Sequence, residues 1–470
     1  MSTREVSTSA STGATGLDRA LGALGTLMIV LSAVTPASSV FIIVPGVIAL
    51  AGTGSFLSFV FAAVIGLFMA FVYAELSSAY PMSGGEYTMI GRTLGNFWGF
   101  ITLVLVFVSI VLIVAVIALG VGTYLGVIIP DLSPQWMGVA TIILGGIVAA
   151  LRIKLNALVT GIFLGIEMLA LLILIVLGFA HVERPLSSLF TAPQILDTAT
   201  NSLVAAPFSL ILAATAVAIF SYNGYGAAAY FGEETHDAKR NIGKVVVWAL
   251  VITVAAELIP LTAVLMGSPD LVALLSAPAK IEYFLDARGG HTLTILISLA
   301  IAIAIFNAVI AIILQAARLL FSSGRDRTWF GPINGWVGSV HTTYQSPWIA
   351  TMVVIVLSAL GCFIDINLLF VVTGTSLVVI YALLCVAVIV GRRNGTTNGG
   401  HYRMPFFPVP AALGFIALVY VGYQNLMDVA FGRPSLIATA LIMVAAAVYY
   451  VLFLARRTDW KLHGPDEIAG

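Results

Sequence analysis

The chain has 470 residues, of which 60% are hydrophobic and only 9% are charged. Because soluble proteins carry about 25% charged residues, this composition excludes a water-soluble fold of this length. The 21 basic residues balance the 21 acidic ones, so charge gives no reason to expect a nucleic-acid partner.

The chain opens with a Ser- and Thr-rich stretch, residues 1–16, that is predicted to be a disordered cytoplasmic tail. The apolar run after Arg19 is too long for a signal peptide and lacks a small-residue cleavage site. Because about 20 apolar residues cross a hydrocarbon layer of about 30 Å, the long apolar runs that follow predict membrane spans. About twelve spans are predicted, near residues 20–50, 55–79, 95–129, 134–151, 156–180, 201–231, 243–267, 292–321, 347–364, 366–391, 408–430 and 434–455.

Lysine and arginine residues predict the orientation of these spans. With the N-terminus placed in the cytoplasm, most basic residues fall inside, and the outer loops contain only Arg184, Lys280, Arg288 and Arg433. The positive-inside rule predicts an imbalance of this kind. The sequence therefore predicts a multi-pass protein in the lipid bilayer of the plasma (inner) membrane. Both termini are predicted to be cytoplasmic, including a C-terminal tail over residues 457–470.

The first span contains an interruption made of small and polar residues: Thr35, Pro36, Ala37, Ser38 and Ser39. Pro36 has no N–H group to donate, and its ring clashes with the carbonyl group four residues earlier. At membrane depth the freed backbone groups are tolerated only where protein or water satisfies them. On this segment alone, a simple proline kink and a binding site are equally good interpretations.

The sixth span contains a second interruption, formed by two glycines together with Phe220, Ser221, Tyr222, Asn223 and Tyr225. Such a sequence makes a poor continuous helix. The two interruptions occupy corresponding places, because each lies in the leading span of a five-helix unit. An odd number of spans per unit reverses the second unit in the membrane. Paired interruptions in corresponding positions indicate the binding site of a transporter.

The ends of the interrupted helices predict the chemistry of this site. A half-helix that begins near Ser38 and Ser39 presents free N–H groups and the positive end of its dipole, which suit a substrate carboxylate. The outer half of the sixth span ends near Phe220 and leaves carbonyl groups that suit an ammonium group. An α-amino acid therefore fits across both interruptions. Phe220, Tyr222 and Tyr225 either cover the bound molecule as a gate or serve in ordinary packing.

Three stretches after the second, sixth and eighth spans resemble the signatures of one transporter group. The first is Ala74-Glu75-Leu76 together with Pro81-Met82-Ser83-Gly84-Gly85-Glu86-Tyr87. The second is Gly232-Glu233-Glu234-Thr235 together with Lys239-Arg240-Asn241-Ile242, and the third runs from Arg318 to Asp326. In order and spacing they are similar to those of the amino acid–polyamine–organocation (APC) transporter superfamily.

The resemblance implies an all-α membrane fold of two inverted five-helix repeats, over residues 17–180 and 201–391, followed by two further helices over 408–456. It also implies alternating access, with the substrate held between the broken first and sixth helices. Carried over by residue, the first break falls on Thr35–Ser39 and the aromatic gate on Phe220. Many relatives have a glycine-rich first break, whereas this chain has Thr-Pro-Ala-Ser-Ser, so the substrate class stays open.

Two acidic residues are predicted to lie deep in the bilayer. Glu167 lies roughly 18 Å along the fifth span, and Glu257 is similarly deep in the seventh. Because no Lys or Arg is predicted at mid-membrane, each acid is expected to be protonated, bound to a cation or exposed to a polar cavity. One interpretation is coupling to protons or sodium, or reception of a cationic substrate group. The other is a protonated Glu that bonds a neighbouring helix, and Asn307 in the eighth span either lines the site or joins two helices.

Other classes of function have less support. The six histidines lie in loops or at helix ends without metal-ligand spacing, and no phosphate-binding motif occurs, so an enzyme, a metal site and a cofactor are not expected. A channel is distinguished from a carrier by flux, because a carrier saturates and shows counterflow. A transporter-like receptor usually carries a sizeable soluble region.

The charged residues of the predicted cytoplasmic loops allow two interpretations. They form either ion pairs that close the inner gate or a solvated face; they are Glu75, Glu86, Arg92, Glu233, Glu234, Arg325 and Asp326. As a whole, the sequence predicts a secondary active transporter of amino acids, working by proton-coupled symport or by exchange. A transporter of polyamines or other organic amines with the same fold is the alternative.

Overall fold

The computed structural model describes residues 17–126, 133–197 and 199–468, and most of these residues are helical. Within these ranges, nine helical segments are long and apolar enough to cross a membrane. Two shorter apolar helices, Pro134–Ala149 and Trp348–Gly361, accompany them. The predicted N-terminal tail lies outside the described residues. The chain is therefore an integral membrane protein built from many apolar helices.

Helices follow one another with short connections. The first are α1 (Ala23–Val34), α2 (Pro36–Ser38), α3 (Val44–Ala51), α4 (Ser55–Ala79), α5 (Gly85–Leu94), α6 (Asn96–Gly126), α7 (Pro134–Ala149), α8 (Ile153–Ala180) and α9 (Ser188–Thr191). Next are α10 (Phe208–Ser221), α11 (Ala238–Gly267), α12 (Leu271–Ser276), α13 (Lys280–Gly289), α14 (His291–Arg325), α15 (Gly331–Val337) and α16 (Trp348–Gly361). The last are α17 (Ile366–Gly374), α18 (Ser376–Arg393), α19 (Val409–Met427), α20 (Gly432–Leu452) and α21 (Pro465–Ile468). Every apolar run predicted from the sequence overlaps at least one of these helices.

The core lies where the long helices pack side by side. Helix α4 packs along α11, α14 packs against α6 and α8, and α1 lies among α8, α11 and α14. Ile29 and Val30 on α1 are fully buried. By contrast, α8, α19 and α20 expose apolar side chains such as Leu158, Ile416 and Leu441, as lipid-facing helices do. The interrupted first span is therefore surrounded by protein, where its freed backbone groups can find partners.

A small β-hairpin covers one end of the first span. Strands β1 (Gln194–Asp197) and β2 (Ser202–Ala205) pair antiparallel. Gly52 has a φ of 56°, and a Cβ atom there would lie 2.0 Å from the carbonyl oxygen of Gln194. Only glycine fits this close approach. The N–H group of Gln194 also donates to Thr53 Oγ1 at 2.8 Å, which fixes the hairpin on the turn between α3 and α4.

The C-terminal segment predicted as a tail packs on the helices as far as residue 468. His463 Nδ1 lies 2.7 Å from Asp326 Oδ1, just after α14. Tyr87 on α5 donates its hydroxyl to Asp326 Oδ2 at 2.9 Å, and Leu462 is buried nearby. This segment therefore joins the loop regions that follow the second and eighth predicted spans.

Candidate functional site

The first span is interrupted at Thr35. Helix α1 ends at Val34, and Thr35 takes a left-handed conformation with φ of 49° and ψ of 68°. This conformation is uncommon for a residue with a branched side chain. Pro36 occupies the first position of α2, where its missing N–H group costs little. The helix therefore restarts at Pro36, earlier than the predicted start near Ser38 and Ser39.

Glu167 on α8 provides the hydrogen-bond acceptor for the new helix. The N–H group of Ala37 donates to Glu167 Oε1 at 2.8 Å, and Thr35 Oγ1 lies 3.2 Å from the same oxygen. Thr35 Oγ1 also lies 2.8 Å from Ser38 Oγ. The second carboxyl oxygen, Oε2, is buried and has no hydrogen-bond partner among the described residues. A carboxyl group of the protein therefore stands where the sequence predicts the carboxylate of a substrate.

The sixth span is interrupted after Ser221, where α10 ends. Gly224 has a φ of 123°, and a 3₁₀ helix then runs over Tyr225–Phe231. A Cβ atom at Gly224 would lie 2.9 Å from Val34 Cγ2. Glycine is therefore required both for the backbone conformation and for the close approach of the two interruptions.

Serine hydroxyls connect the second interruption to Glu257. Ser221 Oγ donates to Glu257 Oε2 at 2.5 Å, and Ser39 Oγ donates to the carbonyl group of Ser221 at 3.3 Å. The carbonyl group of Phe220, predicted to face an ammonium group, accepts the N–H group of Asn223 at 3.1 Å. Glu257 Oε1 is buried without a hydrogen-bond partner in the described part of the chain. Each interruption thus has one buried acid beside it.

Asn307 on α14 lies behind the first interruption. Its Nδ2 group donates to Ser32 Oγ at 2.9 Å and to the carbonyl group of Thr160 at 3.2 Å. Ser32 Oγ in turn donates to the carbonyl group of Thr160 at 3.2 Å. Asn307 therefore joins α14, α1 and α8, in agreement with the helix-to-helix interpretation of this residue.

A cavity of about 490 Å³ lies beside both interruptions. Predicted site residues that line it are Thr35, Ser38, Ser39, Phe220, Ser221 and Asn223. Aliphatic side chains of α6 and α18 form an apolar wall, made of Val106, Ile110, Ile113, Val116, Ile117, Leu377 and Ile380. Packed outside this lining are Pro36, Ala37, Tyr222, Tyr225, Glu167, Glu257 and Asn307. A mostly apolar cavity with a few polar groups is the usual composition of a small-molecule site.

The predicted aromatic residues separate into two groups. Phe220 lines the cavity and is 40% exposed. Tyr222 is buried, donates its hydroxyl to the carbonyl group of Phe59 at 3.3 Å, and packs edge-to-face on the Phe59 ring. Tyr225 packs edge-to-face on Tyr73, with 5.8 Å between the ring centroids. Ordinary packing therefore describes Tyr222 and Tyr225, and Phe220 is the one of the three that faces the cavity.

The cavity has two features that sequence reasoning missed. On the apolar wall, Ile110, Ile113 and Ile117 repeat at helical spacing along α6, and this signal is visible in the sequence. The second feature is the end of the cavity nearest α5, here called the cavity floor. It is formed by Tyr73, Glu86, Tyr230, Gln315 and Tyr381. These residues are far apart along the chain, so only the packing of the helices brings them together.

Ion pairs connect the loops next to this floor. Three buried acids are each paired with an arginine: Glu234 with Arg318, Glu233 with Arg325, and Glu75 with Arg392. Both nitrogen–oxygen contacts of the Glu75 pair are short, at 2.8 and 2.6 Å. The three carboxyl groups are at most 8% exposed. The solvated-face interpretation is therefore wrong for these residues.

Comparison with known proteins decides the family. The profile described as "Amino acid permease" matches residues 21–453, which is nearly the whole chain. The chain belongs to this family. The resemblance to APC transporters drawn from the loop sequences is thereby confirmed.

Individual relatives are distant but align over most of their length. The branched-chain amino acid permease BcaP of Bacillus subtilis (strain 168) is 23% identical, over 88% of this chain and 89% of the relative. The serine/threonine exchanger SteT of the same organism is 23% identical, over 86% of this chain and 91% of the relative. The methylthioribose transporter of Bacillus subtilis (strain 168) is 24% identical, over 78% of this chain and 80% of the relative. These relatives are named as permeases, exchangers or transporters, so a transport role fits this chain.

Proposed function

We propose that the chain is a secondary active transporter of α-amino acids with apolar side chains. The observation that carries this proposal is the cavity: two helix interruptions meet at a site that an aliphatic wall encloses. The apolar wall is much larger than the polar part of the lining. Burial of a Leu or Ile side chain against such a wall stabilises the complex by roughly 1.5–3 kcal/mol relative to its exposure.

The two ends of the substrate meet the two interruptions. Its carboxylate faces Ser38 and Ser39 in the first turn of the helix that restarts at Pro36, where hydroxyls and the helix dipole favour negative charge. Its ammonium group faces the carbonyl groups at the end of α10, and Phe220 covers it. The side chain then points toward Ile110 and Ile113 on α6. The name of the relative BcaP, a branched-chain amino acid permease, supports the proposal that this wall contacts an aliphatic side chain of the substrate.

Glu167 couples binding of the substrate to binding of a proton. Its carboxyl group already accepts the N–H group of Ala37 at the helix start that the substrate carboxylate approaches. Two carboxylates at this site repel each other, and a proton on Glu167 removes the repulsion. Glu257 stands in the corresponding place beside the second interruption. Sodium is the alternative coupling ion, since carboxylate and hydroxyl oxygens also suit a metal cation.

The architecture proposed for this function is twelve spans in two inverted five-helix repeats, over 17–180 and 201–391, with two further helices. The apolar segment Ala23–Ala79 has 57 residues, enough for two crossings. The shorter apolar helices α7 and α16 then supply crossings too. The distribution of basic residues supports a cytoplasmic position for both termini. Alternating access opens the cavity first to one side of the plasma membrane and then to the other.

One organic-amine alternative has a specific observation in its favour. Glu86 lines the cavity and carries a carboxyl group that a cationic substrate can face. Glu167 and Glu257 do not serve this purpose, because both lie outside the cavity lining. An amine substrate therefore depends on Glu86.

A ligand screen tests the proposed function. Purified protein is screened by thermal shift against α-amino acids and against polyamines, and the hits are tested for counterflow in proteoliposomes. We expect stabilisation and saturable counterflow with leucine, isoleucine or valine. Stabilisation by amines without any by amino acids would replace the proposal with the amine alternative. Flux that neither saturates nor shows counterflow would indicate a channel.

A further inference from the structure

Glu86 differs from the other buried acids of the loops near the cavity floor. Glu75, Glu233 and Glu234 each contact an arginine. The partners of Glu86 are instead two tyrosine hydroxyls: Tyr73 donates to Oε1 at 2.8 Å, and Tyr230 donates to Oε2. Glu86 is only 6% exposed, and it lines the cavity. Its carboxyl group is therefore buried without a paired cation among the contacts of the described residues.

Tyrosine side chains connect Glu86 to the second interruption. The ring of Tyr381 packs edge-to-face on Tyr73, with centroids 5.5 Å apart. The Tyr381 hydroxyl donates to the side-chain carbonyl of Asn223, which follows the end of α10. A continuous series of contacts through Tyr73 and Tyr381 therefore joins Glu86 to Asn223, a residue that lines the cavity.

The groups that contact Glu86 or lie close to its charge come from three of the elements packed around α5. Helix α4 contributes Tyr73, the 3₁₀ helix contributes Tyr230, and α18 contributes Tyr381. Helix α6 has no charged side chain along its length. Charged groups of the adjoining loops include Asp326, which contacts Tyr87 and His463. They also include the acid–arginine pairs Glu75–Arg392, Glu233–Arg325 and Glu234–Arg318. In these pairs each acid already has its own cation.

We propose that Glu86 is a proton-binding site at the cavity floor, and that its protonation holds the floor closed during transport. A proton requires no additional space. An ammonium group of a substrate would have to displace Tyr73 or Tyr230 from an oxygen that is already hydrogen-bonded and buried. Each tyrosine hydroxyl can donate or accept, so both protonation states of Glu86 keep a hydrogen-bond partner.

The direction of the coupling follows from burial. Glu86 lies on α5, outside the apolar membrane-spanning segments, and burial raises the pKa of its carboxyl group despite the hydrogen bonds from Tyr230 and Tyr73. The closed floor therefore favours the protonated form. Opening of the floor to water returns the pKa toward its usual value and releases the proton on that side. This proposal rests on the proposed function and adds a second coupling carboxyl group to Glu167.

The first experiment needs no substrate. The carboxyl absorption band of the purified full-length protein is titrated by infrared spectroscopy, in parallel with Glu86→Gln and Glu167→Gln. We expect Glu86→Gln to remove one titrating carboxyl group that Glu167→Gln retains. Titrations that are identical in wild type and Glu86→Gln would overturn the proposal.

The second experiment uses L-leucine as the probe in proteoliposomes. We expect Glu86→Gln to lose accumulation driven by a proton gradient and to lose the pH dependence of exchange. Retention of both would overturn the proposal. If the wild type neither binds nor exchanges leucine, the proposed substrate class fails, and the infrared titration still decides the role of Glu86.

A conservative variant guards against misfolding of Glu86→Gln. Because the Tyr230 hydroxyl lowers the Glu86 pKa, Tyr230→Phe is expected to shift the titration midpoint of this carboxyl group to higher pH. Tyr80→Phe is the matched control, since the Tyr80 hydroxyl donates to the carbonyl group of Thr396 and does not contact Glu86. Equal midpoints in Tyr230→Phe and Tyr80→Phe would contradict the proposal.

Discussion

Two sets of buried acids in this molecule differ in the charge of their hydrogen-bond partners. In the loops near the cavity floor, Glu234 contacts Arg318, and Glu233 and Glu75 have arginines of their own. Beside the helix interruptions, the hydrogen bonds of Glu167 and Glu257 within the described ranges come from N–H and hydroxyl groups, and one buried oxygen of each acid has no partner there. Removal of an acid that is paired with a buried arginine would leave the arginine without a compensating charge. An acid with neutral donors has no such partner, so we propose a structural role for the first set and a coupling role for the second.

The largest effect is expected from breaking a buried ion pair. Glu234→Gln leaves Arg318 buried without a compensating charge, and breaking such a pair costs about 3–5 kcal/mol. The measurement is the melting temperature of the purified protein in detergent, together with the yield of folded protein. Glu467→Gln, which removes an exposed partner of Lys461, is the control and should leave the melting temperature nearly unchanged. Equal stability of the two variants would show that the inner pairs are not structural.

The next effect is expected at Glu167. Glu167→Gln keeps an oxygen that accepts the N–H group of Ala37 but cannot exchange a proton. We expect the protein to fold and leucine uptake to lose its pH dependence, with at least about a tenfold fall in gradient-driven accumulation, equivalent to about 1.4 kcal/mol. Unchanged ligand stabilisation combined with unchanged pH dependence of uptake would remove Glu167 from the mechanism.

A moderate effect is expected at the apolar wall of the cavity. This wall belongs to neither set of acids, so a variant there tests the substrate site separately. Ile113→Phe fills part of the cavity on α6. We expect binding of leucine to weaken relative to binding of alanine by about 1–3 kcal/mol, because the Phe ring fills the space that the leucine side chain would occupy. The ratio of the two dissociation constants is the measurement. A ratio equal to that of the wild type would place the substrate side chain elsewhere.

The smallest effect is expected at Tyr222, which belongs to neither set. Tyr222→Phe removes the hydrogen bond to the carbonyl group of Phe59 and retains the edge-to-face ring contact. The expected loss is about 0.5–1.5 kcal/mol in the free energy of unfolding. A thermal melt of the variant beside the wild type measures it. A change in leucine affinity without a change in stability would instead indicate that Tyr222 acts in the gate.

Local sequence signals predicted much of the fold. The second apolar run, 55–79, has the bounds of α4 (Ser55–Ala79), because turn residues flank a continuous apolar stretch. Thr35 lies at the predicted first interruption, since a proline next to several hydroxyl residues favours a break in a helix. The hairpin over residues 194–205 was not predicted, because its strands are short and its position depends on Gly52, far away in the chain.

The partners of the site residues could not be predicted in the same way. Glu167 was identified as a buried acid from its depth, but its contact with Ala37 joins residues 130 positions apart. The floor around Glu86 depends likewise on tyrosines from three separate helical segments. The isoleucine repeat on α6 is the exception, since its helical spacing can be seen without the fold.

A structure of the protein determined with L-isoleucine bound tests the proposed binding mode directly. We expect the carboxylate of isoleucine at Ser38 and Ser39, its ammonium group at the end of α10, and its side chain against Ile110 and Ile113. Density for isoleucine outside the cavity, or a first span that is helical without interruption at Thr35, would contradict this binding mode.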